Sequence, residues 1–191
     1  MVDVSSGNMP EWKRAAIIAA TPADTTPEPE GLRRRPPAPD VGSPDDIQAV
    51  RVALGNGITR YKVTMALPQD IPGRLSIVND RVAMERRLAP LREAFDSARA
   101  DRLISDIERA LTSVAADPTY RCFQDYRLIV KNWQGIQVTG DQAEAVFEAS
   151  NSYKVDGSWV DDPVEQWQVS LVRSGGVWKI RSYGSVIYQA P

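Results

Sequence analysis

The spacing of apolar residues changes once along the chain, at Asp117-Pro118, and that change limits what the chain can build. Before it, apolar residues recur every three or four positions. Ile47, Val50, Leu54, Ile58, Tyr61 and Met65 fall on one helical face. Met84, Leu88, Leu91 and Phe95 continue the period, and Leu103, Ile107, Leu111 and Val114 resume it. After Asp117-Pro118 the alternation has period two, the signature of half-buried strands. Helices first and hairpin-linked strands afterwards predict an α+β fold, with N-terminal helices packed on a curved, mainly four-stranded antiparallel meander sheet.

Local signals place the elements. Ser43-Pro44-Asp45-Asp46 combines a serine cap, a proline at the first helical position and early acids, which together start a helix. Gly55 and Gly57 each cost that helix about 1 kcal/mol relative to alanine, so they predict a close contact or a break. A second helical region begins near Gly73, and Pro90 predicts a kink or division within it. The first strand runs from about Arg121 to Val138 with an interruption near Asn132 to Gly135. Gly140-Asp141 turns into the second, where Ala143, Ala145, Phe147 and Ala149 share one face and Glu144 and Glu148 take the other. Asp156-Gly157 and Asp161-Asp162-Pro163 bracket a loop holding Trp159. Trp167, Val169 and Leu171 mark the third strand. Ser174-Gly175-Gly176 makes a hairpin, and Trp178 and Ile180 lead a fourth strand that ends near Tyr188.

Seven of the fourteen prolines lie between Pro22 and Pro44, with Leu32 and Val41 almost the only large apolar residues there. Such a stretch cannot bury enough surface to offset its ordering entropy. Residues 1–44 therefore read as a disordered, proline-rich tail or linker and residues 45–191 as one folded domain. The longest apolar run, Ala15 to Ala20, has six residues, against roughly 20 for a membrane span.

The run Ile136-Gln137-Val138-Thr139-Gly140-Asp141-Gln142-Ala143 is a strand, a turn and a strand. Trp167 to Leu171 is followed by Arg173-Ser174-Gly175-Gly176-Val177-Trp178-Lys179-Ile180. On these residues the chain from about Ser43 to Tyr188 resembles the nuclear transport factor 2-like superfamily, the cone-shaped cystatin-like fold shared with SnoaL-like proteins. The resemblance implies a fold and no single activity. Isomerases, cyclases, epoxide hydrolases, ligand carriers, transport adaptors and extracytoplasmic domains of secretion or lipid-import complexes all use it.

The residue inventory removes whole classes of chemistry. There is no histidine, and Cys122 is the lone cysteine, so imidazole bases, Cys/His nucleophiles and thiolate-imidazole metal sites cannot be built from one chain. No phosphate loop or calcium loop occurs, and no cofactor or metal is expected. An isomerase needs a carboxylate base facing a tyrosine or protonated acid. Asp125 with Tyr126, and Tyr153 with Asp156, supply those types, yet neighbouring Asp125 and Tyr126 point to opposite strand faces. Asp125 and Arg127 share a face, as a water-holding acid-base group would require, and as an exposed cross-strand ion pair would equally require. Asp125, Tyr126 and Arg127 are thus the polar residues of an enzyme-type pocket.

Binding asks for less. Five tryptophans exceed what four strands need for a core. Trp133 and Trp159 fall in irregular positions, and with Tyr153 they are the candidate contacts for a partner or ligand. From Lys131 to Lys179 seven acids face four bases, which argues against nucleic acid. The expectation is a non-catalytic interaction or assembly module, with a protein partner or self-association as a homodimer. The alternative is a small-molecule enzyme of isomerase, cyclase or epoxide-hydrolase type, or a carrier of a small apolar ligand in the cone. The expected location is cytoplasmic; the alternative is an extracytoplasmic domain whose membrane anchor is absent from the sequence. An enzyme interior needs a pocket of at least about 300 Å³ with converging polar groups, whereas a scaffold fills the same space with side chains.

Overall fold

The computed structural model describes residues 34–187. Four helices precede five strands: α1 (Pro44–Thr64), α2 (Ile71–Asn79), α3 (Arg81–Ala94) and α4 (Ser97–Val114), then β1 (Asp125–Thr139), β2 (Gln142–Val155), β3 (Ser158–Asp161), β4 (Glu165–Ser174) and β5 (Val177–Ile187). The strands form one antiparallel sheet of order β1-β2-β4-β5, with β3 paired to the far end of β2. The expected α+β class and the helix-covered meander are both present.

The caps explain the helix boundaries. Ser43 accepts the Asp46 amide at 3.1 Å and opens α1, which continues unbroken through both glycines. At Gly57 an added Cβ would lie 2.6 Å from Ile180 Cδ1, so this glycine lets α1 sit close on β5; Gly55 faces open space. Of the kink or division expected at Pro90, the division does not occur, since Pro90 lies inside α3. Its ring deprives the carbonyl of Arg86 of its helical partner, and Arg86 is an exposed residue. The helical region breaks at two aspartates. The Asp80 carboxylate accepts the Val82 and Ala83 amides at 2.9 and 3.1 Å, and that of Asp96 accepts the Ala98 amide at 2.9 Å. Each offers the backbone a helix start that competes with continuation.

One expectation about a loop is also corrected. The segment with Trp159 is strand β3, because Asp156 (φ 50°) and Gly157 (φ 81°) form a two-residue turn of left-handed backbone that folds Ser158–Asp161 onto Ser152–Val155. The proline-rich stretch expected to run free to residue 44 lies mostly outside the described residues. Its last part, residues 34–42, is extended against the sheet and hydrogen-bonded to it. The irregularity expected between Asn132 and Gly135 appears as two register shifts, Val130/Asn132 and Trp133/Gly135, within a continuous β1.

The core lies between the helices and one face of the sheet. Val50, Leu54 and Ile58 of α1, Leu91 of α3, and Leu103, Ile107 and Leu111 of α4 pack there with Ala143, Ala145, Phe147, Val169, Leu171 and Ile180. Arg74 of α2 is 1% exposed. Its guanidinium donates to the carbonyls of Tyr120 and Asp117 at 3.1 and 3.0 Å and to Cys122 Sγ at 3.6 Å, tying α2 to the connection before β1. Burial pushes the Cys122 thiol pKa up, away from reactivity. No described helix is long and apolar enough to cross a membrane.

Candidate functional site

Three places could carry function: the space between helices and sheet, the far end of the β2-β3 arm, and the outer face of the sheet. The first is occupied by rings. Trp133 meets Phe147 at 5.1 Å between centroids, Phe147 stacks on Trp167 at 6.1 Å, and Trp167 stacks on Tyr183 at 6.3 Å. This row crosses β1, β2, β4 and β5 because Trp133 pairs with Phe147 and Phe147 with Trp167 in the strand register. Tyr61 and Phe95 close it from the helix side, 5.8 and 6.2 Å from Tyr183. Arg51 sits 5.1 Å over Trp133 and Arg99 sits 5.1 Å over Tyr183, so a cation covers each end.

Trp133 is therefore half-buried and spends its ring on the core. Tyr153 is buried as well, edge-on to Phe123 at 5.2 Å and 5.3 Å from Tyr126. Of the three candidate contacts, Trp159 alone reaches the surface, 38% exposed on β3 beside Val160, also 38% exposed.

The enzyme-type set is split by the pleat. Tyr126 points inward and donates its hydroxyl to Asn151 Oδ1 at 2.8 Å, while Asp125 and Arg127 stand on the exposed face. Arg127 forms no ion pair with Asp125. Its guanidinium lies 4.2 Å over the Trp159 ring and donates to Ser152 Oγ at 3.3 Å, because β3 brings an indole where a loop was expected. The carboxylates that bear on the inward tyrosines are Asp162 and Glu165, at the start of β4. Burial first, and these two charges after it, hold the Tyr126 and Tyr153 phenols well above their ordinary pKa. Sequence reasoning placed Asp162 in a turn and gave Glu165 no role. Their position depends on β3 folding back, and no local pattern announces it.

An open cleft of about 430 Å³ lies elsewhere, between the end of α1 and α3, over Val63, Leu67, Pro68 and Pro90. Arg87 enters it and donates Nε to the Thr64 carbonyl at 2.8 Å. No carboxylate lines this cleft among the described residues, so it offers no acid-base pair.

The outer face is polar and partly covered. Gln166, 1% exposed, accepts the Arg35 amide through Oε1 at 2.8 Å and donates Nε2 to the Arg35 carbonyl at 2.8 Å. It also donates to Gln134, whose own amide reaches Glu148 at 2.7 Å. Ala38 N–H then donates to the Gln134 carbonyl at 2.6 Å, and Val41 N–H to the Ile136 carbonyl at 2.8 Å. One glutamine thus pairs both backbone polar groups of Arg35, and the edge of β1 pairs with Ala38 and Val41.

No protein-family model matches the sequence, and no curated protein matches it. Solved structures are similar in shape. Aln2 from a Streptomyces species shares 12% identity with a TM-score of 0.48, over 78% of this chain and 94% of that one. An NTF2-like protein with a cystatin-like fold from Novosphingobium aromaticivorans shares 14% with a TM-score of 0.41, over 76% and 86%. CagV, a VirB8 homolog of T4SS from Helicobacter pylori, shares 8% with a TM-score of 0.42, over 72% and 99%. The described residues themselves show four helices followed by one antiparallel sheet.

Proposed function

We propose that this protein is a non-catalytic interaction or assembly module. The observation that carries the reading is the ring row from Trp133 to Tyr183, which fills the space where an enzyme of this architecture would hold substrate. The separation of Asp125 and Arg127 from Tyr126 supports it too. The partner surface is the β2-β3 arm, where Trp159 and Val160 are exposed and Arg127 stiffens the indole from one side. The partner is another protein or a second copy, not nucleic acid, and the setting is cytoplasmic, with an anchored extracytoplasmic domain as the alternative.

Cross-linking in the native cell, followed by recovery of the full chain and identification of its partners, tests this. A partner recovered with the natural chain and lost with Trp159→Ala is the expected result. Recovery unchanged by Trp159→Ala together with Val160→Ser would remove the arm from the reading.

A ligand carrier is the second reading, and one observation favours it: the buried indole N–H of Trp167 has no hydrogen-bond partner among the described residues. A small ligand bearing an acceptor would satisfy it. A thermal-shift screen of small ketones and amides, repeated on Trp167→Phe, separates the two readings.

A further inference from the structure

Every residue from Arg34 to Val41 is exposed, yet the segment makes the hydrogen bonds of an added strand. Besides the two bonds donated to β1, the Val138 amide donates to the Val41 carbonyl at 2.7 Å, and the Ile136 amide donates to the Asp40 carboxylate at 2.8 Å. The Gln134 carbonyl, both backbone groups of Ile136 and the Val138 amide are thereby paired with the strap. β1 is the outermost strand of the sheet order, so without this strap those groups would form an open edge. The strap is held by polar contacts, including Arg35 to Glu144 and Asp40 to Arg51, both at 2.9 Å, and buries no apolar side chain of its own.

The two halves of β1 are protected differently. The part of β1 up to Asn132, which includes the first register shift, carries exposed Arg127, Lys131 and Asn132, side chains that discourage pairing. The later part, Gln134 to Val138, carries no charge and is the part the strap covers. Gly135, with φ 147°, shows how close the cover lies, since a Cβ there would sit 2.5 Å from the Ala38 carbonyl oxygen. The opposite edge, β5, is touched at one point, where the Asp96 amide donates to the Ile180 carbonyl at 2.9 Å.

We propose that the Gln134–Val138 edge of β1 is a self-association surface that the strap of residues 34–42 keeps covered, and that its occupant after release of the strap is β1 of a second copy. An isologous pairing of two such edges satisfies on each copy the groups the strap satisfied. The proposal deepens the assembly reading above but is separable from it, because that reading concerns the β2-β3 arm.

The experiment uses the full chain with Gln166→Ala and Asp40→Ala combined, which removes strap anchors and alters no residue of the edge itself, though it also takes away the Gln166 contact with the Gln134 side chain. Amide exchange at Ala38 and Val41 reports release, and sedimentation velocity over a concentration series reports association. The expected result is loss of protection at both amides with self-association at least about tenfold tighter than in the natural chain. Adding Gln137→Lys to the released chain is expected to return it to monomer. Release with an unchanged monomer, or a dimer indifferent to Gln137→Lys, overturns the proposal. Retained protection means that the strap does not detach when its anchors are cut, and this overturns it as well. Failure here leaves partner capture through Trp159 intact, whereas loss of that capture leaves the edge result standing.

Discussion

The two faces of the sheet are built from the same alternating strands and hold themselves together by opposite means. The inner face presents Ala143, Ala145, Phe147, Trp167, Val169 and Leu171 to the helices, all buried. The outer face presents Gln134, Glu144, Glu148 and Gln166 to solvent and to a strap of the chain's own lead. Burial of apolar area is non-directional and strong, so the inner face sets stability. Hydrogen bonds are directional and weak in net terms, so the outer face sets which backbone may lie on it. A strand with this two-sided pattern can carry a permanent interior and an exchangeable exterior.

The largest effect that would sharpen this contrast is Phe147→Ala. It removes the middle ring of the row, and a loss of about 3–5 kcal/mol is expected in denaturant unfolding. A loss under about 1 kcal/mol would mean that the interior is loosely filled, and would turn the functional reading toward the ligand carrier.

Next comes an alkaline weakness confined to the inner side. Burial pushes the Tyr120 phenol up to about 12, and the Tyr126 and Tyr153 phenols are held up also. The unfolded chain ionises these groups near 10, the ordinary value, while the folded chain keeps them protonated. Stability is therefore complete below pH 10 and falls as pH rises through and beyond it. Unfolding curves at stepped pH check this, and Tyr126→Phe with Tyr153→Phe is expected to flatten the fall.

On the outer face, Gln166→Ala removes both bonds to the Arg35 backbone and the contact with Gln134. About 1–2 kcal/mol is expected, with amide exchange quickened along residues 35–41 and unchanged in β4. A global loss equal to that of Phe147→Ala would break the distinction between the faces. The smallest effect is of opposite sign. Gly55→Ala meets nothing within 4 Å and should stabilise by about 0.5–1 kcal/mol in thermal unfolding. Gly57→Ala, on the side of α1 that meets Ile180, should not.

Much of the fold was legible because its signals are local. The cap at Ser43, the alternation from Ala143 to Ala149, the turns at Gly140 and Gly175-Gly176 and the irregularity before Gly135 each follow from the conformational limits of a few neighbouring residues. The helix divisions were misplaced because Pro90 is a conspicuous breaker, while capping by Asp80 and Asp96 competes quietly. The candidate site was legible only in residue type. Trp133, Tyr153 and Trp159 look alike as exposed anchors in sequence, yet the register shifts turn Trp133 onto Phe147, the pleat buries Tyr153, and β3 lifts Trp159 to the surface.

The linear order of residues by itself determined the class of architecture and the chemistry that one chain cannot perform, since periodicity and the absence of histidine need no partner to be read. Tertiary structure alone decided that Asp162 and Glu165, not Asp125, bear on the inward tyrosines, and that the end of the proline-rich lead lies along β1. The physical reason is range. Backbone preference and side-chain alternation act within a few residues, whereas the Arg35–Gln166 contact joins positions 131 apart and exists only once the sheet has closed the distance between them.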